Sequence, residues 1–188
     1  MYRKKSITLV IPAHNEERLI GPTLEGVPET IDRVYVVDDA SQDNTCEVVQ
    51  RYAEWDPRVV LLRHKVNKGV GAAIITGYLQ SSADDYDIAV VVGGDNQMPL
   101  EVVDDLIEPI AKGEVDYAKG NRFLMPQVGL DGMPWTRFLG NALISISTKM
   151  ASGFYKIYDV VDGYTAISKR AIDMIDWGKA WKGYGYPM

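Results

Sequence analysis

The chain has 188 residues and a formal net charge of −6, and 46% of its residues are hydrophobic. This composition is typical of a globular domain of ordinary size and excludes a disordered chain. The acidic balance argues against a broad nucleic-acid-binding surface, and the single cysteine, Cys46, excludes an intramolecular disulfide and a cysteine-rich zinc site.

Short apolar runs alternate with segments of helical period along the first half of the chain. The runs, predicted as strands buried on both faces, are Ile7–Ile11, Val34–Val37, Val59–Leu62 and Ile88–Val92. The predicted helices between them are Glu16–Gly26, Asp43–Trp55 (with Ser41 as its cap) and Val70–Gln80. This alternation predicts an α/β domain whose parallel sheet is covered by helices.

The second half of the chain has a looser pattern. A fourth helix is predicted over Leu100–Lys112, a fifth strand over Tyr117–Asn121, a mobile loop over Phe123–Pro134 and an amphipathic helix over Trp135–Met150. No repeat or linker interrupts residues 1–188, so we expect one domain. The last residues form no closing element, and we expect the domain to be truncated at its C-terminus. No apolar run approaches the roughly 20 residues of a membrane-spanning helix, so any membrane contact is expected to be peripheral.

Polar residues follow each of the first four predicted strands. They are Pro12-Ala13-His14-Asn15-Glu16, Asp38-Asp39-Ala40-Ser41, Asn67-Lys68-Gly69-Val70-Gly71 and Gly93-Gly94-Asp95-Asn96-Gln97. The carboxyl ends of parallel strands meet at one edge of a sheet, and ligands of open α/β sheets bind at that edge. The sequence therefore predicts a binding pocket formed by these four groups.

Together with Gly120-Asn121-Arg122 and Asp159-Val-Val-Asp-Gly-Tyr164, these motifs resemble the inverting nucleotide-sugar glycosyltransferases of family 2. The resemblance covers nearly the whole chain and is greatest to the dolichol-phosphate mannose and glucose synthases. It implies a single-domain, Rossmann-like GT-A fold with a mostly parallel sheet flanked by helices.

The resemblance assigns nucleotide binding to the strand ends. It places Pro12 and Ala13 beside the base, Asn15 and Glu16 on the pocket floor, Asp38 and Asp39 at the base or ribose, and Lys68 and Gly69 near the nucleotide. A carboxylate accepts hydrogen bonds from a base or a ribose hydroxyl, and backbone N–H groups beside a lysine suit phosphate. The glycines at 69 and 71 follow the third strand and lack a third partner, which disfavours a Rossmann dehydrogenase.

Asp95 is the central candidate for a metal ligand. Relatives in the family usually carry Asp-x-Asp followed by Gln, and here Gly93 replaces the first aspartate. The resemblance implies that Asp95 and Gln97, together with the donor diphosphate, hold Mg²⁺ or Mn²⁺. With one carboxylate missing, we expect weaker metal binding than in relatives that have both.

The acceptor determines which residues the reaction needs. A saccharide hydroxyl requires a general base, for which Asp159 and Asp162 are the catalytic candidates. A lipid phosphate arrives ionised, and Arg122 and Arg137 are the candidates to hold it.

The resemblance implies an inverting transfer of a sugar from a UDP- or GDP-sugar to a polyprenyl or dolichyl phosphate. The alternatives are transfer to a saccharide hydroxyl and a catalytically silent nucleotide-binding module of the same fold. A sugar-nucleotide pyrophosphorylase is disfavoured because no glycine-rich, basic loop follows the first strand. The expected location is the cytoplasm, at the cytoplasmic face of a membrane, with no nucleic-acid partner.

Overall fold

The structure is a computed structural model that describes residues 1–96, 98–121, 135–153, 155, 159 and 162–183, with only the backbone of residues 135–138. The strands are β1 (Ile7–Ala13), β2 (Arg33–Asp38), β3 (Val59–Arg63), β4 (Ile88–Val91), β5 (Tyr117–Lys119) and β6 (Thr165–Ser168). The helices are α1 (Ile20–Glu25), α2 (Thr45–Trp55), α3 (Val70–Ala83), α4 (Val103–Ala111), α5 (Trp135–Ser152) and α6 (Lys169–Met174).

The six strands form one sheet in the order β3-β2-β1-β4-β6-β5. β1 pairs in parallel with β2 and β4, and β2 pairs in parallel with β3. β6 is antiparallel to both of its neighbours, β4 and β5. The sheet of this α/β domain is thus mostly parallel, with β3, β2, β1 and β4 all parallel, as the sequence predicts.

β1 is the centre of the sheet and is buried on both faces. Ile7, Leu9 and Ile11 pack into the larger apolar core on one side, and Val10 packs into a second core on the other. α3 approaches β1 closely at Gly77, where an added Cβ would lie 2.2 Å from Cγ1 of Val10. Only glycine permits this contact, so Gly77 sets how near α3 lies to the sheet.

Several element boundaries differ from the sequence-based prediction. The first helix begins at Ile20 rather than Glu16, the second begins at Thr45 after Asn44, and Leu100–Val102 is a 3₁₀ turn preceding α4. β3 is an edge strand with half-buried residues and is not buried on both faces. β6 and α6 were not predicted. The loop predicted over Phe123–Pro134 lies outside the described residues.

Candidate functional site

The strand order reverses between β1 and β4, because the chain adds β2 and β3 on one side of β1 before it crosses to the other side. Ligands of doubly wound sheets bind beyond the carboxyl ends of the strands at such a point. The segment after β1 meets the segment after β4 there: a Cβ on Gly94 would lie 3.4 Å from the Pro12 carbonyl and 3.6 Å from Cγ of Glu16. The segments after β1 and β4 therefore meet at this edge of the sheet, and their role as a binding pocket stays a prediction.

The segments after β1 and β2 are held together by side chains that bond backbone N–H groups. The backbone N–H of Asn15 donates to Oγ of Ser41 (2.9 Å), and that of Glu16 donates to Oγ1 of Thr45 (2.8 Å). In return, Oδ1 of Asn15 accepts from the backbone N–H of Gln42 (2.8 Å). These reciprocal bonds fix the left-handed conformation of Asn15, whose φ is 58°.

Asp39 organises the turn that precedes α3. Its Oδ1 accepts hydrogen bonds from the backbone N–H of Lys68 (2.9 Å) and from the ring of His64 (2.7 Å), and its Oδ2 accepts from the backbone N–H of Gly69 (2.7 Å). An ionised carboxylate accepts about four hydrogen bonds. Among the described residues these bonds leave one acceptor position of Oδ2 without a partner, and the N–H groups of Lys68 and Gly69 are engaged within the protein.

Asp38 lies buried beside Asp39 in a different environment. Its Oδ2 accepts a 3.3 Å bond from the backbone N–H of Ser41 and lies 3.9 Å from Nε of Arg63. Its Oδ1 has no hydrogen-bond partner among the described atoms. Burial, together with the Asp38 carboxylate, raises the pKa of the Cys46 thiol to about 11. Cys46 is thus a buried helix residue, as expected, and not a reactive thiol.

The glycines of the turn before α3 accommodate the C-terminal segment. The backbone N–H of Ala72 donates to the carbonyl of Lys182 (3.1 Å). A Cβ added to Gly69 would lie 2.7 Å from the carbonyl oxygen of Lys182, and one added to Gly71 would lie 2.9 Å from it. The sequence suggested that this turn approaches phosphate, whereas the structure shows it in contact with the backbone of Lys182.

Glu16 and Asp95 form the acidic part of the crevice. Burial raises the pKa of Glu16, and the nearby carboxylates of Asp95 and Asp43 add to this effect. A Cβ at Gly93 would come within 2.8 Å of Oδ1 of Asp95. The Asp95 carboxylate can occupy its position because residue 93 is a glycine and has no side chain. Glu16, Asp43 and Asn15 also line a cavity of about 400 Å³.

The donor set of this crevice fits a hard divalent cation that is completed by phosphate and water. Mg²⁺ is usually bound by one or two carboxylates together with substrate phosphates. In the described part of the chain, no three acidic, histidine or cysteine side chains gather closely enough to form a metal site by themselves. Gln97, the second predicted ligand, lies outside the described residues.

Asp159 and Asp162 lie together before β6. Asp159 is fully buried and its Oδ1 accepts from the backbone N–H of Asp162 (3.2 Å), whereas Asp162 is 8% exposed. Asp162 lies against Gly120 at the end of β5, and a Cβ on Gly163 would contact Cε of Met98 at 3.1 Å. Met98, whose sulfur also accepts from the backbone N–H of Gly93, therefore connects the acidic pair to the segment after β4.

The structure gives little information on the two predicted phosphate-binding arginines. Arg122 lies outside the described residues, and Arg137 lies in α5, of which only the backbone is described at that position. Their role in holding an acceptor stays a prediction.

Two residues of this region had no assigned role in the sequence analysis. His14 donates from Nδ1 to the backbone carbonyl of Asp39 (2.8 Å), and His64 bonds the carboxylate of the same residue. For His64 a signal existed: it directly follows the third strand, at the edge of the sheet where the other polar segments lie.

Fold and crevice together define a doubly wound α/β domain with a polar site at its switch point, the architecture in which nucleotides bind. The chain belongs to glycosyl transferase family 2, whose family model matches residues 8–175. It is accordingly a glycosyltransferase domain, as the sequence motifs predict.

Two relatives are similar to this chain over most of its length. A UDP-N-acetylglucosamine–dolichyl-phosphate N-acetylglucosaminyltransferase of Methanococcus voltae is 32% identical over 184 residues, which cover 91% of this chain and 72% of the relative. A dolichol-phosphate mannosyltransferase of Pyrococcus furiosus is 27% identical, and the match covers 90% of this chain but 48% of that protein.

A solved structure confirms the GT-A fold. Glucosyl-3-phosphoglycerate synthase from Mycobacterium tuberculosis, in complex with Mn²⁺, UDP and glucosyl-3-phosphoglycerate, aligns with a TM-score of 0.65 at 20% identity. The alignment covers 89% of this chain and 58% of the synthase. The chain thus spans little more than half of this structural neighbour.

Proposed function

We propose that this domain transfers a sugar from a nucleoside diphosphate sugar to a polyprenyl phosphate, with inversion at the anomeric carbon. The observation that carries the proposal is the acidic crevice at the switch point, where Glu16 and Asp95 lie beside the segment that begins at Pro12. Asp39 adjoins the same segment, because its backbone N–H donates to the carbonyl of Ala13 (2.8 Å). The two curated relatives, whose names specify dolichyl or dolichol phosphate, support the acceptor class.

On the donor side, Asp39 is proposed to accept one hydrogen bond from the nucleoside through the remaining position of Oδ2. The segment Ala13–Glu16 is proposed to form the adjoining wall of the nucleoside site. Its backbone is held in place by hydrogen bonds to the side chains of Ser41 and Thr45. Lys68 supplies the cation of the neighbouring turn. A rigid wall of this kind binds a ligand without an ordering cost.

A divalent cation, Mg²⁺ or Mn²⁺, is proposed to bind at Asp95 with Gln97 and the donor diphosphate. The solved neighbour contains Mn²⁺ together with UDP, which supports a cation of this class. When bound, the ion supplies Lewis-acid stabilisation of the leaving diphosphate. Gly93 leaves the Asp95 carboxylate uncrowded, since a Cβ at position 93 would lie 2.8 Å from its Oδ1.

The transfer is proposed as a single displacement. A phosphate oxygen of the acceptor forms the bond to the anomeric carbon while the bond from that carbon to the diphosphate breaks, and the bonding electrons leave with the diphosphate. No strong base is required, because the acceptor arrives ionised. Arg122 and Arg137 are proposed to hold the acceptor phosphate, and Asp162, supported by Asp159, to orient the reacting centre.

The surface of α5 supports a lipid acceptor. The helix buries polar side chains, with Ser145 only 3% exposed, and presents apolar ones to solvent, with Leu143 at 63% and Met150 at 73%. It contains Arg137 and Lys149 and no acidic residue in a chain of net charge −6. A basic helix with an exposed apolar face suits the interface of an anionic membrane.

We propose that this face of α5 lies at the cytoplasmic surface of a membrane. Across the residues that the structure describes, the helices are too short or too polar to cross a bilayer, so α5 is proposed to lie on the surface. Sedimentation with vesicles of phosphatidylcholine, with and without phosphatidylglycerol, tests this. Leu143→Glu should reduce binding to the anionic vesicles, whereas Leu79→Glu, at a comparably exposed leucine of α3, should not.

The transfer assay offers polyprenyl phosphate and a soluble saccharide to the protein with each of UDP-, GDP- and CDP-sugars. We expect transfer to the lipid phosphate and loss of that transfer in Arg122→Ala with donor affinity retained. Transfer only to the saccharide, indifferent to Arg122, would contradict the lipid acceptor and make Asp159 or Asp162 the general base. Nucleotide binding without any transfer would favour the silent module.

A further inference from the structure

Met98 is a half-buried methionine that packs against the larger apolar core and contacts two separate segments of the site. Its sulfur accepts a 3.4 Å hydrogen bond from the backbone N–H of Gly93, in the segment after β4. Its terminal methyl, Cε, faces Gly163 in the segment before β6, where an added Cβ would lie 3.1 Å from it. One side chain therefore reaches both the proposed donor segment and the segment of the acidic pair.

The contact with Gly93 affects the carboxylate of Asp95. A Cβ on Gly93 would come within 2.8 Å of Oδ1 of Asp95, so the two residues lie against each other. The next residue, Gly94, is held independently, because the hydroxyl of the buried Thr23 on α1 lies within hydrogen-bond distance of its carbonyl oxygen (3.2 Å). The segment after β4 is thus held by Thr23 at one residue and by Met98 at the residue before it.

The contact with Gly163 affects the carboxylate of Asp162. The backbone N–H of Tyr164 donates to Oδ1 of Asp162 (3.1 Å), and this bond closes a turn around Gly163. The backbone N–H of Asp162 donates in the same way to Oδ1 of Asp159 (3.2 Å). A displacement of Gly163 would therefore move the turn that holds the Asp162 carboxylate.

The chemistry of methionine suits a connection of this kind. The side chain is long and unbranched, its thioether sulfur is a weak hydrogen-bond acceptor, and its terminal methyl packs closely against a residue that has no side chain. Leucine fills a similar volume, but it is branched and shorter and has no acceptor. It can replace Met98 as a neighbour of the apolar core, but it cannot make both contacts.

We propose that Met98 is a positioning residue that holds the segment after β4 and the turn of Asp162 at a fixed separation. Because reacting groups must meet in a near-attack geometry, this separation affects turnover more than the affinity for the donor. The inference rests on the proposed function, which assigns the donor diphosphate to Asp95 and the reacting centre to Asp162. It follows that a change at Gly163 should reach Gly93 only when Met98 is present.

Two NMR signals report on these contacts without any ligand: the methyl group of Met98 and the backbone amide of Gly93. The chain has seven methionines, and the Met98 signal is the one absent from the spectrum of Met98→Leu. We expect Gly163→Ala to shift both signals, because its Cβ would press on the Met98 methyl. In a Met98→Leu background, Gly163→Ala should leave the Gly93 amide signal in place. A Gly93 signal that does not respond to Gly163→Ala, or that shifts equally in both backgrounds, would overturn the proposal.

Turnover and donor affinity, measured together, test the functional part. For Met98→Leu we expect about tenfold lower turnover at saturating donor and acceptor, with the affinity for UDP and GDP within about twofold. Gly163→Ala should also lower turnover, but it should cause little further loss when added to Met98→Leu. Thr23→Val removes the hydroxyl at Gly94 and leaves both Met98 contacts, so it should weaken nucleotide binding more than it lowers turnover.

Two control variants separate positioning from packing. Met174→Leu, at a methionine of α6 that is 79% exposed, should change neither turnover nor affinity. Ile107→Val, in the apolar core against which Met98 packs, should lower stability and leave the turnover of the folded protein unchanged. Circular dichroism shows whether each variant is folded. If Met98→Leu does not fold, it is replaced by Met98→Gln, which is unbranched but lacks the sulfur and the methyl group.

The outcomes distinguish this inference from the proposed function. Unchanged turnover in folded Met98→Leu, or a loss of turnover that Ile107→Val reproduces, would show a packing role only and overturn the inference. If the unsubstituted protein binds no nucleoside diphosphate, the proposed function fails, while the two NMR signals still decide whether Met98 connects the two segments.

Discussion

The carboxylate of Asp162 lies directly against Gly120: a Cβ at position 120 would come within 2.5 Å of Oδ2. The two residues are also joined through the sheet, because the backbone N–H of Gly120 donates to the carbonyl of Tyr164 (2.8 Å) and that of Tyr164 donates to Oδ1 of Asp162 (3.1 Å). The end of β5 therefore sets the position of the acidic pair.

We expect Gly120→Ala to lower turnover by at least about tenfold, because a shift of about 1 Å in a reacting group can cost a hundredfold. Donor affinity, which we propose to depend on the segments after β1, β2 and β4, should stay within about twofold. Steady-state kinetics and calorimetry give the two values. If the effect acts through Asp162, adding Gly120→Ala to Asp162→Asn should cause little further loss; a full additive loss would contradict this.

Substitutions at Gly93 should show whether Mn²⁺ affinity depends on the position of the Asp95 carboxylate or on the number of carboxylates present. Gly93→Ala introduces a Cβ only 2.8 Å from Oδ1 of Asp95 and so forces that carboxylate to shift, and we expect weaker Mn²⁺ binding in the presence of UDP or GDP. Gly93→Asp displaces Asp95 equally but adds a hard ligand, so its affinity should exceed that of Gly93→Ala. Calorimetric titration measures both, and equal affinities would place the cation away from residues 93–95.

Glu16→Gln should increase stability and weaken cation binding. The pKa of Glu16 is raised by burial and by Asp95 and Asp43, so its ionisation at neutral pH opposes folding. The stabilisation from glutamine should be present above this raised pKa and vanish as pH falls below the pKa of an ordinary glutamate. Thermal unfolding should show a gain of about 1–2 °C at neutral pH. A gain that persists at acidic pH would exclude the electrostatic cause.

Gly71→Ala should destabilise the protein, because its Cβ would lie 2.9 Å from the backbone of Lys182. Overpacking of this kind costs about 1–3 kcal/mol. Gly140→Ala on α5 is the matched control: outside its own helix backbone and chain neighbours, no atom of the described residues lies within 4 Å of its Cβ, and alanine in a helix is favoured by about 0.5–1 kcal/mol. Urea denaturation measures both. Equal stability of Gly71→Ala would show that the C-terminal segment moves aside easily.

The parallel half of the sheet could be predicted because buried strands such as β1 are apolar at nearly every position. The start of the first helix could not be predicted from the sequence. The backbone N–H groups of Glu16 and Glu17 donate to the side chains of Thr45 and Asp43, which come from another segment. β6 has four residues, Thr165–Ser168, too few for a period to identify.

The site was predictable as a set of strand ends but not as a set of contacts. That Asp39 follows a strand is visible in the sequence, whereas its bonds to His64 and Gly69 depend on the register between β2 and β3. The same holds for Met98 and Gly163, which come from segments far apart along the chain.

The antiparallel position of β6 has a consequence for biosynthesis. The strands that carry the donor-side residues are complete when Val91 has left the ribosome, and each of them after β1 pairs with a strand made before it. β5 has no such partner, because its one neighbour in the sheet is β6. The end of β5, and with it Gly120 and Asp162, is therefore expected to assemble last, after a donor half that has already folded.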